Sequence, residues 1–447
     1  MATMIPAAVL DALALLQNGG YDAYLVGGCV RSLLLGVEPK DYDLATSAEP
    51  DAVLQLFHDY KTIPVGLQHG TVLVIIGGLP IEITTFRVDG SYTDARRPDQ
   101  VWFTGRLEDD LSRRDLTINA MAWAPDPACP DRFDPEHVID PFGGRADLAA
   151  GRIRCVGAAS ARLREDALRI LRALRFAAVL GFHLETQTAA ALRQLAPMLR
   201  QIAAERIMSE FSALICGIQA GPVLAEYWDV WSVFIPELQP MRAYGAAAAT
   251  GLDLAAQAAQ RVAGVAPVLD LRLAALLLDV GKPVAGPDHQ RTGAELAGRI
   301  LTRLRSDSAT RDRVVRLIQM SDTLPEPTLQ AVRRWLYRQT LPLAVDLCAL
   351  KKADILAGPE DARQERLLQL GQVSALIDRI VTAGLCYQLS DLAVDGQDLI
   401  QSGLPRGRKV GQTLAFLLDQ VIDGRLANEK QALLAAAQLA KRAPDRP

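Results

Sequence analysis

The stretch YLVGGCVRSLLLGVEPKDYDLA, Tyr24–Ala45, decides how the rest of the chain is read. Leu25 and Val26 begin an apolar run that reads as a strand, breaks at Gly27-Gly28 and resumes as a short helical pattern. A glycine pair at such a junction lets the backbone approach a phosphate closely and leaves N–H groups open at a helix start. Arg31 follows in the first turn, placed to meet an anion. After Gly36 and Pro39 a second strand carries Asp41 and Asp43. Strand side chains alternate between faces, so carboxylates two residues apart point the same way, as a divalent-metal site needs. Either half alone equally describes a turn and two surface aspartates. Together they point to a polyphosphate-plus-metal site.

Working outward, Ile5 to Gln17 has helical apolar spacing and stops at Asn18-Gly19-Gly20. Ala48 to Tyr60 reads as another helix. Thr71 to Ile76 and Leu79 to Arg87 read as strands joined by Gly77-Gly78, a hairpin with a two-residue turn. On the second of these strands Glu82, Thr84 and Phe86 share a face. Glu82 is therefore either a third carboxylate beside Asp41 and Asp43 or an edge-strand surface residue. Val88 to Phe103 is polar and crowded with Asp and Arg, including Arg96-Arg97, and is a functional loop or an exposed linker. In SRRDLTINAMAW, Ser112 is placed to cap a helix with Asp115 at its third position, which sets Arg113 and Arg114 against the helix dipole in the first turn. A nearby anion would offset that local cost. From Ala158 onward the pattern is helical nearly throughout. Ser160 to Leu180, taken as one helix, puts Arg162, Glu165, Arg169 and Arg172 on one band and Leu163, Ile170, Leu171 and Leu174 on the opposing stripe, with Asp166 at the border.

The bulk numbers bound these readings. The chain has 447 residues, enough for two to four packed units. Half of it is hydrophobic and only 5% aromatic, which favours helix, and the net charge of −4 excludes a uniformly basic nucleic-acid coat. Local basic clusters remain, however: residues 401–447 carry eight Lys/Arg against four Asp/Glu, a net of +4 that suits a polyanion partner. The six scattered cysteines form no CxxC pair, as expected in a reducing compartment and against structural zinc. No apolar run approaches a membrane-spanning length and the N-terminus lacks a signal-like pattern, so a cytoplasmic protein with no membrane partner is expected.

Four motifs in order, LVGGCVRSLLLG with DYD, TTFRVDGSYTDARRPD, RRDLTINAMA and REDALRILRALRF, resemble the bacterial-type (class II) tRNA nucleotidyltransferase and poly(A) polymerase family. The likeness is strong from about Tyr24 to Phe182, and GLPRGRKVGQTLAFLLDQVIDGRLANEKQALL resembles the family's C-terminal region. The resemblance implies an α+β protein: a mixed α/β nucleotidyltransferase head with a polymerase-beta-like sheet (1–150), then an all-helical neck (151–215), body (216–380) and tRNA-binding tail (381–447). It implies addition of C, C and A to the tRNA 3′ end from CTP and ATP without a template, and it implies no protein partner. Asp41 and Asp43 would hold catalytic Mg2+. Gly28 and Arg31 would contact the triphosphate, and Arg114, ahead of Arg113, the nucleotide. Glu165, Asp166 and Arg169 would be the amino-acid template, with Arg172 and Arg175 as further nucleotide contacts.

Two departures stand out. Ser32 occupies a position where the family usually has Asp. LLLDVGKP and DHQRTGAELA resemble an HD phosphohydrolase module, yet Leu278 precedes Asp279 and no further histidines complete a metal site, so Asp279 and His289 read as a non-catalytic remnant. The competing readings are a poly(A) polymerase, a CC- or A-only adding enzyme, and a non-catalytic RNA-binding protein on the same scaffold. The complete Asp89–Arg97 loop favours addition of the final A, and the intact Asp41 and Asp43 count against a non-catalytic scaffold.

Overall fold

A computed structural model describes residues 4–90, 100–247, 253–285, 288–361 and 363–442. The Asp89–Arg97 loop, including Arg96 and Arg97, lies outside the described residues from 91 onward. The chain divides into two compact units, residues 1–239 with 303–306, and 240–302 with 307–447.

The first unit is built on a seven-stranded sheet. In chain order its strands are β1 (Ala23–Val26), β2 (Tyr42–Thr46), β3 (Lys61–Gly66), β4 (Thr71–Ile76) and β5 (Leu79–Thr85). A separate hairpin pairs β6 (Arg87–Asp89) with β7 (Val101–Phe103), and β8 (Ala122–Trp123) and β9 (Val138–Ile139) complete the main sheet. Its spatial order is β3-β4-β5-β2-β1-β8-β9. Only β2 and β5 run parallel; the other neighbours are antiparallel.

The expected hairpin is present. Gly77 and Gly78 connect β4 to β5 with φ of 58° and 86°, the left-handed pair that a tight hairpin turn requires. Alternation then sorts the side chains. Tyr42, Leu44, Ile81 and Ile83 join the main core with Val9, Leu13 and Leu16 of α1 (Ala7–Asn18), together with Phe57. Asp43, Ala45, Glu82 and Thr84 therefore occupy the opposite face, where Val26, Ala45, Phe86, Leu111 and Ala122 form a second small core. The strand containing Glu82 ends at Thr85, and Phe86, the next residue, is fully buried in that second core, on the side expected of it.

The remaining helices of this unit are α2 (Gly28–Leu34), α3 (Pro50–Leu56), α4 (Leu107–Ser112), α5 (Gly144–Ala149), α6 (Ala159–Glu165), α7 (Leu168–Leu180), α8 (Thr186–Leu195), α9 (Ala204–Ile215), α10 (Ala220–Glu226) and α11 (Trp228–Phe234). Two expectations fail here. Ser112 ends a helix instead of opening one: α4 has Glu108, Asp109 and Asp110 in its first turn and Arg113 at its C-cap. The arginines thus sit where the dipole favours cations, and no anion is needed to offset a cost. The stretch 160–180 is also two helices. Asp166 adopts an extended conformation (φ −140°, ψ 108°), and its Oδ1 accepts from the Leu168 N–H at 2.9 Å, starting α7 afresh. A short carboxylate that can satisfy a nearby backbone N–H competes with helix continuation.

The second unit is helical throughout its described residues, from α12 (Gln239–Ala247) through α13 (Leu254–Gly264), α14 (Leu269–Leu277) and α15 (Lys282–Ala285) to α16 (His289–Arg303), α17 (Ser308–Met320) and α18 (Leu329–Gln339), then α19 (Leu341–Ala357), α20 (Arg363–Thr382), α21 (Gly396–Gln401), α22 (Arg408–Ile422) and α23 (Lys430–Arg442). No helix among the described residues is long and apolar enough to cross a membrane.

Candidate active site

A cleft of about 850 Å3 opens on the Asp43 face of the sheet, within the range that holds a nucleotide-sized ligand. Gly28, Arg31, Asp41, Asp43, Arg114, Asp166, Arg169, Arg172 and Arg175 all line it. Of the expected site residues only Glu165 does not. Its Oε2 accepts from Arg162 Nη1 at 2.7 Å and Arg169 Nη1 at 2.5 Å, so it braces those two guanidinium groups.

The floor is acidic. Asp41 immediately precedes β2, Asp43 is its second residue, and Glu82 of β5 pairs with Asp43 in register. Burial pushes the Asp43 carboxyl up to about 6, with the Glu82 and Asp41 charges adding to the rise and only Arg114 opposing it. A group of carboxylates whose mutual repulsion the chain offsets only through Arg114 suits a hard divalent cation. Among the described residues no group of three His, Cys, Asp or Glu side chains is drawn together closely enough to hold a metal, so Glu82 stands near the pair without forming a finished cage.

The turn above this floor explains one glycine the sequence reading did not separate from its neighbour. Gly27 has φ +77°, and a Cβ there would lie 2.6 Å from Arg114 Nη1. Gly27, more than Gly28, is the position that excludes a side chain. Arg114 is held by Asp110 Oδ2, 3.2 Å from its Nη2, and by the Asn119 carbonyl at 3.4 Å. Arg113 turns to the same carboxylate, with Nη2 2.6 Å from Asp110 Oδ1, and also lines the cleft. At Ser32 the hydroxyl donates to the Gly28 carbonyl at 2.9 Å, so this residue is absorbed into the backbone of α2.

The opposite wall is basic. Arg172 Nε donates to Asp115 Oδ2 at 2.6 Å. Burial alone would raise the Asp115 carboxyl, but Arg172, Arg169 and Asn119 hold it well below the usual carboxylate range. Arg175 Nε lies 2.8 Å from Glu210 Oε2 on α9. Arg31 donates to Asn119 Oδ1 and forms no ion pair among the described residues. Its guanidinium is held below its ordinary pKa first by burial and then by the charge of Arg175.

Asp166 and Arg169 are not paired with each other through their side chains. Asp166 Oδ2 accepts from Arg206 Nη2 at 2.8 Å, while Arg169 donates to Glu165, to the Arg162 carbonyl and to the Arg113 carbonyl. Arg206, Glu210, Asp115 and Asn119 were not among the expected site residues. Asp115 and Asn119 lie inside RRDLTINAMA and could have been taken from that motif. Arg206 and Glu210 look like ordinary wet-face residues of an amphipathic helix, and no local signal marks them.

Residues 23–154 match the family model of the poly A polymerase head domain, and residues 291–437 that of tRNA nucleotidyltransferase domain 2. The chain is 34% identical over 428 residues to the CCA-adding enzyme of Levilactobacillus brevis, covering 95% of each protein. It belongs to the family of CCA-adding enzymes. Identity is higher, 49%, to the CCA-adding enzyme of Leuconostoc mesenteroides subsp. mesenteroides, over 225 residues that make up 50% of this chain and 53% of that one. A crystal structure of the Bacillus stearothermophilus CCA-adding enzyme in complex with CTP superposes with a TM-score of 0.67 at 31% identity, covering 97% of both chains. The α+β organisation and the nucleotidyltransferase class follow from this membership.

Proposed function

We propose that the cleft takes CTP and ATP in turn and that the protein adds C, C and A to the 3′ end of tRNA without a nucleic-acid template, releasing pyrophosphate. One observation carries this reading: a single cleft holds an under-neutralised carboxylate pair on one side and a wall of arginines beginning with a carboxylate–arginine edge on the other. The RNA 3′-hydroxyl attacks the α-phosphate, and the bond to the β-phosphate breaks. Asp41 and Asp43 would hold magnesium, with Glu82 beside them; when bound, the metal supplies charge neutralisation at the attacking and leaving oxygens. Arg31, Arg172 and Arg175 face the triphosphate, and the turn at Gly27-Gly28 gives its oxygens access to the backbone.

Selection of the base rests on Asp166 and Arg169. Cytosine and adenine each present an amino donor beside a ring-nitrogen acceptor, whereas uracil and guanine present the reverse. A carboxylate accepts from the amino group, and an arginine donates to the ring nitrogen. Arg169 has N–H groups to spare, since three of its five already meet Glu165 and two carbonyls. Arg206 and the Leu168 N–H fix the Asp166 carboxylate but leave lone pairs on it. Each such contact discriminates by about 1–3 kcal/mol. The division into head, neck, body and tail at residues 150, 215 and 380, and action in the cytoplasm, belong to the same reading. The six free cysteines support the second of these.

The test is to incubate a tRNA ending at the discriminator base with each NTP singly and with the mixture, and to sequence the 3′ ends. Addition of CCA followed by arrest is expected. Long A tails would establish the poly(A) polymerase reading, CC alone the partial enzyme, and no addition the non-catalytic scaffold.

A further inference from the structure

Three guanidinium groups meet around one aromatic ring. The Cζ atoms of Arg175, Arg31 and Arg172 lie 4.3, 4.7 and 6.0 Å from the centroid of Phe176, which borders the cleft and is 8% exposed. Arg172 and Arg175 have carboxylate partners in Asp115 and Glu210. Arg31 has none among the described residues, and its Nε is buried without a hydrogen-bond partner. The charge of Arg31 is instead set over the ring.

We propose that Phe176 is a positioning residue for the triphosphate: its ring face holds Arg31 aimed into the cleft without neutralising it, beside Arg175, which Glu210 also braces. The inference rests on the nucleotide reading above. The physical argument concerns what else could hold these groups in place. A carboxylate beside Arg31 would fix it equally well but would compete with the incoming phosphates for its N–H groups. An aliphatic side chain would fill the volume but offer nothing to offset the repulsion among three like charges. The negative face of an aromatic ring attracts a guanidinium while occupying none of its donors. Because CTP and ATP share the triphosphate and differ in the base, Phe176 should act on both alike and leave base choice untouched.

The experiment compares wild type, Phe176→Leu and Phe176→Tyr for KM toward CTP and ATP, for inhibition by inorganic tripolyphosphate, and for preference of CTP over UTP. Leucine keeps an apolar filling without the ring, and tyrosine keeps the ring. The expected result for F176L is a rise of about tenfold in both KM values and in the tripolyphosphate inhibition constant, equivalent to roughly 1.4 kcal/mol. Its CTP preference should be unchanged, and F176Y should lie close to wild type on all measures. A partly misfolded F176L would lower apparent kcat but not KM or the inhibition constant, so folding loss does not imitate the effect. Unchanged tripolyphosphate inhibition in F176L, a shift confined to one nucleotide, or F176Y behaving like F176L would overturn the proposal. A wild-type protein that adds no nucleotide and ignores tripolyphosphate would instead overturn the nucleotide reading, and this inference with it.

Discussion

Asp43 in the first unit, half-buried, and Asp279 in the second, buried, are carboxylates in stretches that resemble metal-dependent modules, and the chain treats them in opposite ways. Beside Asp43 stand further carboxylates, Glu82 and Asp41, and its carboxyl is pushed up to about 6. Asp279 is 3% exposed, yet Arg261 Nη1 approaches it at 2.9 Å and Lys282 Nζ at 2.8 Å. Burial would raise the Asp279 carboxyl, but these two cations hold it below its ordinary value. Arg261, itself 1% exposed at the side chain, also reaches Asp354 at 3.2 Å. The second unit thus supplies its own positive charge where an HD module would place a metal. The first unit sets only Arg114 against Asp43, as the proposed role of that carboxylate in holding an exogenous cation would require.

The comparison can be broken most decisively by substitution. Asp41→Ala or Asp43→Ala should cut nucleotide incorporation by roughly a thousandfold or more, the scale of lost charge stabilisation in phosphoryl transfer, with tRNA binding retained in a filter or gel-shift assay. Turnover preserved in either variant would remove the metal role. Asp279→Ala should act on stability: leaving Arg261 buried without this partner should cost about 3 kcal/mol in denaturant unfolding, while the folded fraction keeps its incorporation rate.

A smaller effect belongs to the base-reading edge. Arg206→Gln removes a charge-assisted hydrogen bond from Asp166 and should reduce preference for CTP over UTP by about tenfold, with tripolyphosphate inhibition unchanged. Equal fidelity in variant and wild type would show that Arg206 only supports packing. The smallest effect is a pH dependence. The Asp43 carboxyl is raised in the fold, so its ionisation costs folding stability progressively as pH rises from its ordinary value of 3.8 through about 6. Asp43→Asn should therefore raise the unfolding midpoint of metal-free protein at pH 8 and leave it unchanged near pH 3.5. Because the metal needs the ionised form, incorporation by wild type should fall as pH drops through about 6 and recover partly with added magnesium.

The two halves of the site differed in how well the sequence disclosed them. The Gly27-Gly28 turn and the β4–β5 hairpin follow from glycine geometry, which acts over a few residues; Asp41 borders the same cleft as Asp43 but stands just before β2 instead of on it, so alternation alone did not place it. The arginine wall was legible as a set of residues but not as a set of partnerships. A helical wheel assumes an unbroken helix, and the cap made by Asp166 ends one. Once α6 and α7 separate, Asp166 turns to Arg206, forty residues on, and Arg169 keeps Glu165. The Asp166–Arg206 pairing depends on α7 packing against α9, which no local pattern encodes. The same reason hid Glu210, and a misplaced helix boundary reversed the reading of Arg113 and Arg114.

One consequence of α7 concerns measurement. Under the proposed function Arg169, in its first turn, would belong to the base-reading edge, and Arg172 and Arg175, one and two turns further on, to the triphosphate wall. The rise from Arg169 to Arg175 is about 9 Å, fixed by helix geometry. On that reading the helix would act as a ruler laid along the nucleotide, graduated in turns. Point substitutions alter a mark on it, but inserting a single residue between Arg169 and Arg175 would shift the marks by about 1.5 Å and turn them by about 100°. Such a change would leave base selection and phosphate binding each intact in kind and unable to act on the same molecule.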